Sequence, residues 1–148
     1  MALADYLSVA RIAVLDDVPD KDALIRHAAS LLVIDTELDE AAVLRVLIER
    51  EELATTGIGS GVAMPHGRMD VAEMHAALLV VRRGVPFDAI DGEDVQLVLG
   101  LLAPAKRPTL LLRVLAEASR ALRASDTRSR LIGCADAADA MRIIQELG

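Results

Sequence analysis

The chain has 148 residues, of which 53% are hydrophobic, and its net charge at pH 7 is −7. This composition provides enough apolar material for one core, but no run approaches the roughly 18 uncharged apolar residues of a membrane span. An acidic chain whose only aromatic residues are Tyr6 and Phe87 is a poor candidate for nucleic-acid binding, which favours a basic surface. A single cysteine, Cys134, excludes an internal disulfide and a cysteine-rich metal site. The first five residues also lack the basic start of a signal peptide, so we expect one cytoplasmic domain over residues 1–148, without membrane insertion.

The first part of the chain predicts one strand and two helices. Apolar residues over 9–15 alternate weakly and indicate a strand. A helix should follow Pro19, because apolar residues then recur at helical spacing as far as Leu32. The segment 36–39 resembles a capping box and predicts a second helix through about Leu53.

The second part of the chain predicts two buried strands and three helices. Near-continuous apolar runs over 75–81 and 95–102 are typical of strands that are covered on both sides. Pro108 begins a helix with an apolar stripe, a short helix capped by its first residues covers 125–132, and a last helix covers 135–147. Strands interspersed with helices predict an α/β fold, in which helices cover both faces of one sheet.

Between these parts, residues 57–68 form a glycine-rich segment with a histidine near its end. Glycines permit tight turns, and successive backbone N–H groups bind anions. The residues that we expect to form a phosphate-binding loop are Gly57, Gly59, Ser60, Gly61 and Gly67. The segment is not a Walker-type loop, because no Gly-Lys-Ser/Thr follows, and it is not a dinucleotide fingerprint, because no helix follows the glycines. His66 beside such amides suggests nucleophilic or general-base chemistry on a phosphoryl group; a structural or merely solvated histidine is the alternative.

Arg50 lies in the last turns of the second predicted helix, directly before the glycine-rich segment. An arginine at that position can bind a phosphate in a bidentate manner. Its neighbours Glu49, Glu51 and Glu52 allow the simpler interpretation of a solvated, charged helix end.

Three motifs together resemble the fructose/mannitol class of EIIA proteins and domains of the bacterial phosphotransferase system. They are Glu49-Arg50-Glu51, the segment from Gly57 to Gly67 ending in Pro-His-Gly, and Phe87-Asp88-Ala89-Ile90-Asp91-Gly92 before a strand that ends in Pro104. The resemblance covers about residues 5 to 147 and is greatest to the nitrogen-regulatory branch of the family. It implies a single domain with a central mixed β-sheet and helices on both faces.

The resemblance also implies a function for the histidine and the arginine. In this family the histidine of the Pro-His-Gly motif, here His66, accepts a phosphoryl group from the phosphohistidine of an HPr-like carrier protein. The matching arginine, Arg50, stabilises the phosphoryl group, and neither a metal nor another cofactor is needed. The nitrogen-regulatory branch acts on downstream partner proteins according to its phosphorylation state.

One residue departs from the family pattern. The family usually has a second active-site histidine, and the resemblance places Leu111 at that position. Loss of a preorganised donor slows transfer by about a hundredfold to a thousandfold in comparable cases. The alternatives to a regulatory phosphocarrier are therefore a binding module that has lost phosphoryl transfer, and an EIIA dedicated to sugar transport.

Overall fold

The computed structural model describes residues 3–147. Met1, Ala2 and Gly148, which belong to the predicted domain, lie outside the described residues. The part of the chain that the structure describes has five α-helices, which are α1 (Lys21–Leu32), α2 (Glu40–Leu53), α3 (Pro108–Arg123), α4 (Ser125–Ile132) and α5 (Ala137–Glu146). The same part has six strands, which are β1 (Ile12–Leu15), β2 (Gly57–Gly59), β3 (Val62–Ala63), β4 (His66–Met69), β5 (His75–Val85) and β6 (Val95–Pro104).

The strands form one mixed sheet, and helices lie on both of its faces, as the sequence predicted. The sheet has the order β1-β5-β6-β3-β2, and β4 pairs with β6 as well. β1 runs parallel to β5, β5 runs antiparallel to β6, and both β3 and β4 run parallel to β6. β3 pairs with the first part of β6 and β4 pairs with its last part, so β3 and β4 lie one after the other along β6.

Two hydrophobic cores lie on opposite faces of the sheet and explain the continuous apolar runs of β5 and β6. Along β5, Leu78 and Val80 pack in the core with α3, α4 and α5, which we call the α3 face. Leu79 and Val81 pack in the other core with α1 and α2, which we call the α2 face. A strand that is buried on both faces needs no alternation with polar residues.

Most element boundaries match the predicted ones, and the differences have local causes. The predicted strand over 9–15 begins as a 3-10 turn, Val9–Arg11, because pairing with β5 starts only at Ile12. The N-cap of α2 is Asp39, whose carboxylate accepts from the N–H of Ala42. Thr36 cannot cap that helix, because its hydroxyl already bonds in the turn after α1.

The last two helices also begin differently from the prediction. α4 has Ala124 as its N-cap, so Ser125 is the first helical residue and does not cap the helix. α5 begins at Ala137, because the carboxylate of Asp136 accepts from the N–H of Asp139 and caps it. Over residues 3–147, no helix has the length and apolar character that crossing a membrane would require.

Candidate functional site

Pairing between β4 and β6 determines the direction of the His66 side chain. His66 pairs with Leu101 and Arg68 pairs with Ala103, and both partners pack in the core of the α3 face. Residues that are paired in register share a face of the sheet, and alternate residues of a strand point the same way. His66 and Arg68 therefore both project towards the α3 face, while Gly67 between them faces α2.

Gly67 is a point of close contact between β4 and α2. A Cβ atom at this position would lie 2.0 Å from Cγ1 of Val46, which is far inside van der Waals contact. Only glycine therefore allows α2 to approach β4 this closely, and this approach brings the end of α2 to the edge of the sheet beside His66. Gly67 lines the same depression as His66, and its evident structural role is this packing.

The imidazole of His66 has one nitrogen occupied and one nitrogen available. Its Nδ1 atom lies 2.8 Å from the carbonyl oxygen of Met64, and a carbonyl can only accept a hydrogen bond. Nδ1 therefore carries a proton and donates it to that carbonyl. In the neutral ring the proton on Nδ1 leaves the lone pair on Nε2, which makes Nε2 the nucleophilic atom.

The surroundings of His66 favour this neutral form. Burial lowers the pKa of His66 below its usual value, and the guanidinium groups of Arg50 and Arg68 lower it further. The hydrogen bond to Met64 and the carboxylate of Glu51 act in the opposite direction and raise the pKa of His66, but they do not reverse the shift. The ring is thus mostly unprotonated at neutral pH, as a nucleophile must be.

His66 lies in an open depression of about 470 Å³ between α2, β4 and α3. The residues from α2 are Val46, Glu49, Arg50 and Leu53, those from β4 are His66, Gly67 and Arg68, and those from α3 are Leu111, Leu112 and Leu115. Two of the leucines are unusually exposed for their type, Leu53 at 82% and Leu112 at 62%. The depression thus combines one nucleophile and two guanidinium groups with an apolar rim.

Arg50 and His66 line the same depression, an arrangement that the family resemblance implied. Nη1 of Arg50 donates to the carbonyl oxygen of Ala54 over 2.8 Å, which holds the guanidinium at the C-terminal end of α2. A guanidinium has five N–H donors, so the others stay available to a ligand in the depression. The simpler interpretation, in which Arg50 is one charge of a solvated helix end, does not account for its position beside His66.

The neighbouring Glu51 has a structural role. Its carboxylate accepts from the backbone N–H and the hydroxyl of Thr56 and lies 3.0 Å from Nζ of Lys21. The Glu51 side chain is only 7% exposed, and Lys21 also lies 4.7 Å from the ring centre of Phe87. This cluster fixes the end of α2 against α1 and against the segment that leads to β2, and thereby positions Arg50.

The structure places most of the predicted phosphate-binding loop away from His66. Gly59, Ser60 and Gly61 form the turn between β2 and β3, and all three have a positive φ. The N–H of Ser60 donates to the carboxylate of Asp91, an anionic partner of the protein itself. Gly61 lies opposite Gln96 on β6 and His66 lies opposite Leu101, which places the turn roughly 16 Å from His66 at about 3.3 Å per residue.

Of the five predicted loop residues, only Gly67 lines the depression that contains His66. Gly57 packs against Ala89, where a Cβ atom would come within 2.9 Å of the Ala89 Cα atom. Gly59 and Gly61 satisfy the turn, and Ser60 and Gly61 line a separate depression together with Glu93, Asp94, Gln96 and Arg128. A glycine needed for a tight turn looks the same in a sequence as a glycine needed for an anion, so the sequence alone could not separate the two roles.

Arg68 is the residue of this site that the sequence interpretation missed. It lies two positions after His66 on β4, so strand alternation alone would have placed both side chains on one face. Recognising this required knowing that His66 is the first residue of strand β4.

Leu111 also lies where the resemblance implied. It lines the depression beside His66, is 2% exposed, and packs in the core of the α3 face. A leucine has no hydrogen-bonding group, so α3 provides an apolar wall to His66 at this position. His27 and His75 do not line this depression.

The fold and the site match a known family. The family described as "Phosphoenolpyruvate-dependent sugar phosphotransferase system, EIIA 2" matches residues 5–147. The chain belongs to this family. It is 34% identical over 138 residues to the nitrogen regulatory protein of Bradyrhizobium diazoefficiens, which covers 93% of this chain and 90% of that protein.

Two further EIIA relatives have names of different kinds, one nitrogen-regulatory and one sugar-specific. The crystal structure of the nitrogen regulatory protein IIA-Ntr from Neisseria meningitidis superposes with a TM-score of 0.89 at 32% identity and covers 96% of this chain and 98% of that one. The fructose-specific EIIA component of the phosphotransferase system from Haloferax volcanii is 34% identical over 114 residues, which cover 76% of this chain and 74% of that protein. This EIIA chain thus has relatives with a nitrogen-regulatory name and a relative with a sugar-specific name.

Proposed function

We propose that this chain is a nitrogen-regulatory EIIA that accepts a phosphoryl group on Nε2 of His66 from an HPr-like carrier protein. The observation that carries the proposal is the hydrogen bond between Nδ1 of His66 and the carbonyl of Met64, which leaves the Nε2 lone pair for the depression. Phosphoryl transfer is mainly a matter of alignment and charge stabilisation, and this site offers a fixed ring and two guanidinium groups.

The transfer itself needs no net proton movement in this geometry. Nε2 attacks the phosphorus atom, a new N–P bond forms, and the P–N bond to the donor imidazole breaks. The electron pair of the broken bond stays on the donor nitrogen. The phosphorylated ring becomes positively charged, and its Nδ1 proton keeps its bond to Met64, so the carbonyl stabilises the product.

The apolar rim of the site supports a protein as the donor. Leu53 and Leu112 project from α2 and α3 on either side of His66, and both are exposed. Exposed apolar side chains around a polar centre are typical of protein interfaces. A phosphoryl group on His66 adds about two negative charges between these leucines, so a partner protein can distinguish the two states.

The test is incubation with purified, phosphorylated HPr-type carriers, followed by intact mass measurement at neutral and mildly acidic pH. We expect a mass increase of one phosphoryl group that is lost in acid, as phosphohistidine requires, and that is absent from His66→Asn. No increase over hours would overturn the proposal. Comparison of carriers from the sugar and nitrogen branches as donors separates this function from that of an EIIA dedicated to sugar transport.

Leu111 favours a second candidate function, a binding module without phosphoryl transfer. This buried leucine removes the donor that the family usually has on α3. For this function, His66→Asn would bind partner proteins and regulate them as the wild type does. If the chain is a phosphocarrier, the binding of partner proteins by His66→Asn should no longer respond to the phosphorylated carrier.

A further inference from the structure

Leu111 leaves the α3 wall of the depression without a hydrogen-bond donor at that position. Arg68 on β4 supplies a donor nearby. Arg68 is two residues from His66, so their Cα atoms are about 7 Å apart on the same face of the strand. A fully extended arginine spans a similar length, which puts the guanidinium within reach of a phosphoryl group on Nε2. We propose that Arg68 is a second phosphate-binding residue of this site and compensates for the donor that Leu111 cannot provide.

This inference rests on the proposed function, and two further observations support it. Arg68 is exposed and makes no hydrogen bond or ion pair with the residues of 3–147, so its donors are free for a ligand. Arg50, in contrast, is held by Ala54 on the other side of His66. The two guanidinium groups thus approach the phosphoryl position from α2 and from β4.

The charges that line the depression define what binds there. Arg50 and Arg68 are its two cations, and Glu49 is its one carboxylate. One net positive charge beside a neutral imidazole suits an incoming phosphoryl group. Loss of either arginine would leave the depression without a net positive charge, so we expect either loss to weaken phosphate binding.

A small phosphoryl donor separates phosphate binding from protein docking. We would phosphorylate the full chain with phosphoramidate, which has no docking surface, and in parallel with a phosphorylated HPr-type carrier. With phosphoramidate, Nε2 forms the N–P bond, the P–N bond of the donor breaks, and its protonated nitrogen leaves as ammonia with the electron pair. Since removal of one donor from a preorganised site costs about a hundredfold to a thousandfold, and this site is open to solvent, we expect Arg68→Gln to slow both reactions by about 10- to 100-fold.

Arg83→Gln is the matched control. Arg83 is also an exposed arginine on a strand, but it lies seven residues along β5 from the residue opposite Leu101, roughly 23 Å away. We expect this variant to react like the wild type with both donors. Arg68→Lys should react at an intermediate rate, because an ammonium keeps the charge but not the paired N–H groups.

A second measurement reports on contact with the phosphoryl group and does not depend on a rate. In the phosphorylated chain, ³¹P NMR titration gives the pKa of the phosphoryl group on His66. Loss of a neighbouring cation raises that pKa, so we expect a higher value in Arg68→Gln than in Arg83→Gln.

Three outcomes would overturn the inference. If the wild type is phosphorylated and Arg68→Gln reacts at the same rate with phosphoramidate, Arg68 does not contact the phosphoryl group. If only the reaction with the carrier protein slows, Arg68 contributes to docking alone. If neither donor phosphorylates the wild type, the proposed function itself fails, and the inference fails with it.

Discussion

The Nδ1 atom of His66 lies 2.8 Å from the carbonyl oxygen of Met64, two residues earlier in the chain. This bond defines the tautomer, and burial lowers the pKa of the ring below its usual value of about 6.5. We therefore predict that NMR titration of His66 gives a pKa below 6.5 and shows the Nδ1–H tautomer above it. His66→Asn identifies the signals by their loss. A pKa at or above 6.5, or a proton on Nε2, would contradict the proposed nucleophile.

The lowered pKa of His66 also predicts how stability depends on pH. Below about pH 6.5 the unfolded chain binds a proton at this residue more readily than the folded chain, so folding stability falls as the pH falls through the folded-state pKa. We expect acidification from pH 7.5 to 5 to reduce the free energy of unfolding more in the wild type than in His66→Asn. Urea unfolding at each pH measures this. Equal losses in both chains would show that His66 keeps its ordinary pKa.

The contact between Gly67 and Val46 predicts a strong coupling between β4 and α2. A methyl group on Gly67 would overlap Val46 Cγ1, so Gly67→Ala should destabilise the fold by about 1–3 kcal/mol. It should also slow phosphorylation of His66, because α2 carries Arg50. Val46→Ala removes the clashing atom, so the double variant should be more stable than the sum of the single effects predicts. Simple additivity in urea unfolding would contradict the contact.

The buried carboxylate of Glu51 predicts a large difference between two neighbouring glutamates. Glu51→Gln leaves Lys21 without its partner at 3.0 Å and should destabilise the fold by about 1–3 kcal/mol. Glu52→Gln removes an exposed charge one residue later and should change stability by less than about 0.5 kcal/mol. Thermal unfolding of the two variants compares them directly. Equal effects would show that the Lys21–Glu51 pair does not fix the end of α2.

A hydrogen-bond donor at position 111 should substitute for the donor that Arg68 provides. Leu111→His places an imidazole in the depression, so we expect it to restore phosphorylation in Arg68→Gln by about tenfold, with little gain in the wild type. Because Leu111 is buried, the change should also cost about 2–4 kcal/mol of stability. Ala116→His, at an exposed position of α3 outside the depression, is the control and should do neither. Restoration in an otherwise inactive wild type would instead favour the binding module.

Local patterns in the sequence were enough to predict the class of fold and to select His66 and Arg50 as candidate site residues. Continuous apolar runs over β5 and β6 required a sheet buried on both faces, and the helical spacing predicted α1, α2 and α3, because burial patterns are local properties of a strand or helix. The sequence alone also showed that His66 follows Pro65 and that Arg50 lies at the end of a predicted helix. Family resemblance added the role of each residue.

Which of the candidate residues lie together could be seen only in the folded chain. The turn at Ser60 is close to His66 in the chain but roughly 16 Å away along β6, and its N–H bonds to Asp91. Arg68 became part of the site because pairing with β6 turns it towards the face of His66. Leu53, Leu111 and Leu112 meet there because α2 and α3 approach the sheet from opposite faces. Strand register and helix packing depend on contacts between distant parts of the chain, so these arrangements could not be read from local sequence patterns.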